Sequence, residues 1–220
     1  MVAEMPNRSY GQACSLARAL DLIGERWTFL ILRELFAGPR RFKDLLVNLN
    51  GIGNNLLSQR LKKLKAFGLV EDTRLAPPIS VLALKLTPLG RELESSLVHL
   101  AHWGLNFSQP KSKTEVWSPM WNHIAFKARF DEKIAVQRSG TINFNIGGYL
   151  HYLKIERGTL KTGEGLLSDA DVSLSATSQY FIEWIEGRVP IEEAISQKWI
   201  LIEGNLEKFF SLLEVFSGEG

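Results

Sequence analysis

The chain has 220 residues, 45% of them apolar, and a formal net charge of +2; no apolar run approaches the roughly 20 residues of a membrane span, so no membrane partner is expected. A single cysteine excludes an internal disulfide framework and fits a reducing, cytoplasmic compartment. The charge is uneven, with 14 Lys+Arg against 9 Asp+Glu in residues 1–110 and 12 against 15 in residues 111–220, so the first half is the one suited to a polyanion.

Residues 1–12 mix Glu4, Pro6, Asn7 and Arg8 without the apolar centre of a signal peptide, and are expected to be a flexible N-terminus. Helical spacing then begins. Leu16, Leu20 and Ile23 mark a first helix ending near Gly24, and Trp27, Leu30, Ile31, Leu35 and Phe36 mark a second, stopped by Gly38-Pro39. Phe42, Leu45, Leu46 and Leu49 predict a third helix, ended by Asn50-Gly51. A fourth spans Gly53 to Gly68, with Leu57, Leu61 and Leu64 on one face. Two extended segments follow, Leu69 to Leu75 and Val81 to Thr87, joined by a Pro77-Pro78 turn as a hairpin. Thr87-Pro88 opens a helix over about 88–107. It carries an apolar stripe of Leu93, Leu97, Leu100 and Phe107 and a second of Val98, Ala101 and Leu105. The second stripe is expected to contact a partner subunit, or else the downstream domain.

The polar, Pro-containing residues 109–119 predict a linker between domains at 13–108 and 120–217. Beyond it the period changes to two. Ile124, Phe126, Ala128 and Phe130 predict a strand, as do Ile142, Phe144 and Ile146, Tyr149 to Glu156, and Val172 to Ser175. A helix is expected from Ser178 to Glu186, another after Pro190, a strand from Trp199 to Glu203, and a closing helix with Asn205 as its N-cap. The fold class is therefore α+β: a mainly helical winged helix-turn-helix, with a β-hairpin wing, precedes a second α+β domain.

The fourth helix carries the chemistry. Its polar side holds Asn54, Asn55, Ser58, Gln59, Lys62 and Lys63, with no acidic residue in the run. Asn and Gln pair with adenine edges, Ser donates or accepts, and Lys neutralises phosphate, so this helix is expected to read a DNA major groove. Arg40 and Arg41, at the start of the third helix, are candidate phosphate contacts. Cys14 reads as a small, partly buried apolar residue. His99 and His102 are three apart on one helix, but no Cys or carboxylate near in sequence completes a site, so no metal and no cofactor are expected. Asp169 and Asp171 fit a shared sheet face or a capped loop end. Without a phosphate loop or nucleophile elbow, an enzyme is not expected.

Over about 90 residues the first half resembles the HxlR-type winged helix-turn-helix regulators. The matching residues are Cys14, Leu22-Ile23-Gly24-Glu25-Arg26-Trp27, Ile31-Leu32-Arg33-Glu34-Leu35, Gly38-Pro39-Arg40-Arg41-Phe42, Leu57-Ser58-Gln59-Arg60-Leu61, Gly68-Leu69-Val70 and Leu86-Thr87-Pro88-Leu89-Gly90. The resemblance implies a homodimer on a palindromic double-stranded DNA operator, and at Cys14 a redox-sensing thiol as the alternative to an apolar filler, with Arg18 one turn later to supply positive charge. The wing departs from that pattern: Pro78-Ile79-Ser80-Val81-Leu82-Ala83-Leu84-Lys85 lacks the usual Arg and Glu-Tyr. The second half resembles the sterol-carrier-protein fold through Asp169-Ala170-Asp171-Val172-Ser173-Leu174-Ser175, Trp184-Ile185-Glu186-Gly187, Glu193-Ala194-Ile195 and Ile200-Leu201-Ile202-Glu203-Gly204. That resemblance implies a hydrophobic small-molecule ligand, with Trp121, Phe126, Phe144, Phe181, Trp184, Trp199, Phe209 and Phe210 as candidate pocket residues or as plain core. The expected function is a homodimeric, sequence-specific transcriptional regulator controlled by an apolar ligand. The alternatives are a redox-sensing regulator using Cys14 and a lipid carrier.

Overall fold

Apolar residues at helical spacing from residue 15 to residue 66 become four helices in the computed structural model, which describes residues 9–75, 80–107 and 116–216. They are α1 (Ser15–Ile23), α2 (Thr28–Phe36), α3 (Phe42–Asn48) and α4 (Asn54–Ala66). Ile31, Leu32, Leu35, Leu45, Leu57 and Leu64 are fully buried, and their removal from water supplies the main driving force, about 1.5–3 kcal/mol per side chain. Strands β1 (Val70–Arg74) and β2 (Leu82–Leu86) form an antiparallel hairpin in the register Val70↔Leu86 to Arg74↔Leu82. Arg40 joins its edge by a bridge to Leu84. The Pro77-Pro78 turn lies outside the described residues, as do residues 1–8, 108–115 and 217–220.

The expected long helix over 88–107 breaks after one turn into α5 (Pro88–Arg91) and α6 (Glu94–Gly104). Thr87 caps α5, its hydroxyl accepting from the Gly90 N–H at 3.0 Å. Two compact units divide within α6, at residues 1–97 and 98–220.

The second unit is built on a five-stranded sheet of β3 (Gly140–Ile146), β4 (Tyr149–Glu156), β5 (Thr159–Glu164), β6 (Val172–Ala176) and β7 (Ile200–Gly204), in the spatial order β5-β4-β3-β6-β7. Only the central β3–β6 pair is parallel. Gly147 and Gly148, at φ +59° and +88°, make the tight β3–β4 turn that a side-chain-bearing pair would strain. Ile142, Phe144, Ile146, Leu153, Ile155, Val172, Leu174 and Ile200 line one buried face. Against it pack Phe181 of α9 (Ser178–Ile185), Ala194 of α10 (Ile191–Ser196), and Phe209 and Leu212 of α11 (Leu206–Leu213). Asn205 caps α11, its side-chain oxygen accepting from the Lys208 N–H at 2.9 Å.

One expected strand is absent. Residues 122–129 form helix α7 (Asn122–Arg129), followed by a short α8 (Glu132–Ala135). Ile124 and Ala128 are four apart as well as on the alternating set, and both are buried on one helical face beside Asn122 and His123. The two polar residues are inside because they have partners. The Asn122 amide donates to His151 Nε2 at 3.4 Å, and His123 Nε2 reaches the Tyr149 hydroxyl at 3.2 Å, which itself donates to Glu164 at 2.8 Å.

Candidate nucleic-acid interface

The α3–α4 pair is held in place from behind. Glu34 of α2 is fully buried, and its carboxylate accepts from Arg33 Nη2 at 2.9 Å and from Asn48 Nδ2 of α3 at 3.1 Å. Burial lowers the Arg33 pKa, and the neighbouring Glu34 opposes that shift. Between α3 and α4 the chain turns at Gly51, φ +95°, a conformation that disfavours any residue with a Cβ.

α4 begins after Gly53, which has no side chain to cap it, and its first turn holds no acidic residue. The positive helix end is thus open to an anion. At roughly 100° per residue, Asn54, Asn55, Ser58, Gln59 and Lys62 occupy an arc of about 140°. All five are exposed, and none of their side chains has a hydrogen-bond or ion-pair partner among the described residues. Leu57, Leu61 and Leu64 lie on a face roughly 120° away and are buried. The helix therefore presents amide, hydroxyl and ammonium groups unspent by the fold.

Three expected contacts are placed otherwise. Lys63 turns to the back of α4, where its ammonium reaches the Asp21 carbonyl at 3.3 Å and Glu25 at 3.8 Å, beside an Arg60–Glu25 pair at 2.8 Å. Arg40 is only 8% exposed, and its backbone N–H and C=O are both bonded to Leu84. Edge pairing with the wing draws it inward, away from the exposed surface. Arg41 is exposed but forked onto Asp44 by bonds of 2.8 and 2.6 Å, which hold the Asp44 carboxyl below its ordinary range. A phosphate would have to compete with Asp44 for it. Two cations were missed by sequence reasoning: Lys65, which lines one cleft with Ser58 and Lys62, and Arg74 on the wing. Lys65 pairs with Asp72 at 2.6 Å, and exposed Arg74 on the wing donates to the Ser80 carbonyl at 3.2 Å. Only their basic character pointed to them.

Cys14 is exposed at the N-cap of α1, which removes the reading as a partly buried apolar filler. In the second unit, Val98, Ala101 and Leu105 are half-buried, and the open apolar row is instead Leu100, Trp103 and Phe107. His102 Nδ1 donates to the Ala128 carbonyl at 2.6 Å. Of the candidate pocket residues, Phe144, Phe181 and Phe209 are buried in the core, with Phe126, Trp184 and Phe210 packed against them. Trp199 stacks on Tyr180 at 4.9 Å, and Trp121 is half-buried in a 3-10 turn over Pro119–Trp121. His151 stacks on Phe144 at 4.8 Å and is nearly inaccessible; burial, then the neighbouring His123, push its pKa down to about 3. Asp171 is a loop cap, accepting from the Thr141 N–H at 2.7 Å and its hydroxyl at 2.9 Å.

The sequence profile of HxlR-like helix-turn-helix proteins matches residues 22–112. An uncharacterized HTH-type transcriptional regulator of Mycobacterium tuberculosis is 43% identical over 103 residues, 47% of this chain and 63% of the relative, so the match spans less than two thirds of that protein. The HTH-type transcriptional regulator YodB of Bacillus subtilis is 33% identical over 93 residues, 42% of this chain and 82% of YodB. The structure of reduced YodB aligns with 46% of this chain and all of its own, at 29% identity and a TM-score of 0.39.

Proposed function

The chain belongs to the HxlR-like helix-turn-helix family of DNA-binding transcriptional regulators, and on that premise we propose that it is a homodimeric, sequence-specific regulator whose reading element is α4. The observation that carries this is the set Asn54, Asn55, Ser58, Gln59 and Lys62, exposed and without side-chain partners among the described residues, on a helix that buries Leu57, Leu61 and Leu64 in the core. Side-chain amides left unpaired in this way match base edges, and Lys62 matches phosphate. A two-fold dimer would set two such helices about 34 Å apart, one turn of the duplex.

The dimer reading is supported by apolar side chains left in water, namely Leu16 and Leu20 on α1, and Leu100, Trp103 and Phe107 at the end of α6. The second unit we read as a sterol-carrier-like domain that binds an apolar small molecule and shifts operator affinity. Its support is the β5-β4-β3-β6-β7 sheet with a parallel central pair, helices on one face, and an aromatic cluster between. Such control requires the ligand to bind the DNA-competent and incompetent arrangements with different affinity. An exposed Cys14 supports a second reading, in which thiol oxidation is the trigger.

Selection from a random duplex pool, with native mass spectrometry of the enriched complex, tests the proposal. An inverted repeat with half-sites one helical turn apart, bound by two chains, is expected. Absence of any enriched sequence would overturn it.

A further inference from the structure

Beside the DNA-facing surface of α4 lies a cleft of about 320 Å³ between that helix and the wing. Its apolar lining is the buried Leu61, Ala83 and Leu84 together with Phe42 and Leu82. Leu82 is 63% exposed. The rim is polar: Ser58, Lys62, Lys65 and Asp72. Lys65 and Asp72 neutralise each other at 2.6 Å. Lys62 and Ser58 have no side-chain partner among the described residues, so the rim carries one uncompensated positive charge beside one free hydroxyl. The volume is at the small end of the range for ligand pockets.

We propose that this cleft binds a small apolar monoanion, of the aromatic carboxylate class, with the carboxylate on Lys62 and Ser58 and the ring against Phe42, Leu61 and Leu82. The apolar lining supplies the area, and the single charge selects one anionic group over two or none. Ser58 and Lys62 also belong to the surface offered to DNA, so one set of atoms cannot serve both ligands. Occupancy of the cleft and duplex binding then exclude each other, each weakening the other by the same factor. The exclusion rests on α4 being the DNA contact; binding in the cleft does not. No ligand in the second unit is involved.

The test uses the full chain and 1-naphthoate, with 1-naphthalenemethanol as its neutral counterpart, followed by ligand-observed NMR and calorimetry. Naphthoate is expected to bind with a Kd of roughly 0.1–1 mM, the range for a ligand of this size. Lys62→Gln should weaken naphthoate about fivefold or more and leave the alcohol unchanged, because only a charge-assisted bond is removed. Leu82→Ser should weaken both. Each position is exposed, and circular dichroism checks that the variants fold. An excess of 20-bp mixed-sequence duplex at low salt should displace naphthoate. No binding at 10 mM, or equal binding to the parent and both variants, overturns the site. A duplex that leaves the naphthoate signal in place overturns the exclusion alone.

Discussion

Replacing Glu34 by Gln keeps the shape of a fully buried side chain and removes its charge. The Arg33 guanidinium, bonded to it at 2.9 Å and partly desolvated, then stays charged without its counter-ion, and the Asn48 amide keeps only a neutral acceptor. Breaking one partner of a buried pair typically costs 3–5 kcal/mol. Arg33 retains some contact with water at 19% exposure, so a value near the bottom of that range, about 3 kcal/mol, is expected. The loss falls on the α2–α3 junction, where Asn48 of α3 meets Glu34 of α2. Hydrogen exchange resolved by peptide should show α2 and α3 amides exchanging roughly 150-fold faster, since about 1.4 kcal/mol is tenfold. Adding Arg33→Met should recover part of that loss, because the stranded charge goes with it. Unchanged protection in Glu34→Gln, or a double variant worse than the single by a further full increment, would refute the reasoning.

Asp44→Asn should free Arg41 for phosphate. Salt titration of duplex binding by anisotropy should then steepen by up to about one unit of log–log slope per protomer, and an identical slope would place Arg41 off the DNA. His151 is neutral in the fold, with its pKa depressed to about 3, whereas an unfolded His titrates near 6.5. Its contribution is therefore complete above about pH 6.5 and is lost as the pH falls toward 3. Between pH 8 and pH 5 the second unit should lose about 2 kcal/mol, read from urea unfolding followed by tryptophan fluorescence, and His151→Phe should flatten that slope.

Much of the first unit was legible because its helices bury one face each and end at Gly or Pro; Leu57, Leu61 and Leu64 mark the buried side of α4 without ambiguity. The electrostatic fate of its cations was not legible. Lys63 and Arg60 are occupied by groups 35 or more positions away in sequence, and Arg40 is pulled inward by pairing with Leu84. Local spacing cannot report a partner brought close by the fold. In the second unit the strands with alternating burial were readable, but α7 was not, because Ile124 and Ala128 satisfy both the two-residue and the four-residue repeat. The deciding fact, that Asn122 and His123 have buried hydrogen-bond partners on another element, exists only in three dimensions. Strand β5 escaped for the opposite reason: at the sheet edge, Thr159–Glu164 has Leu160 as its one large apolar residue, so it carries little periodic signal.

Base reading by the outer face of α4 is tested most directly by the double variant Asn55→Ala, Gln59→Ala, assayed for its preference for the selected duplex over a scrambled one at fixed salt. Each amide that pairs with a base edge supplies about 1–3 kcal/mol of discrimination. The preference should drop at least tenfold while binding to the scrambled duplex and folding stability stay within a factor of a few. A preference equal to that of the parent protein would contradict the assignment of this helix as the sequence reader.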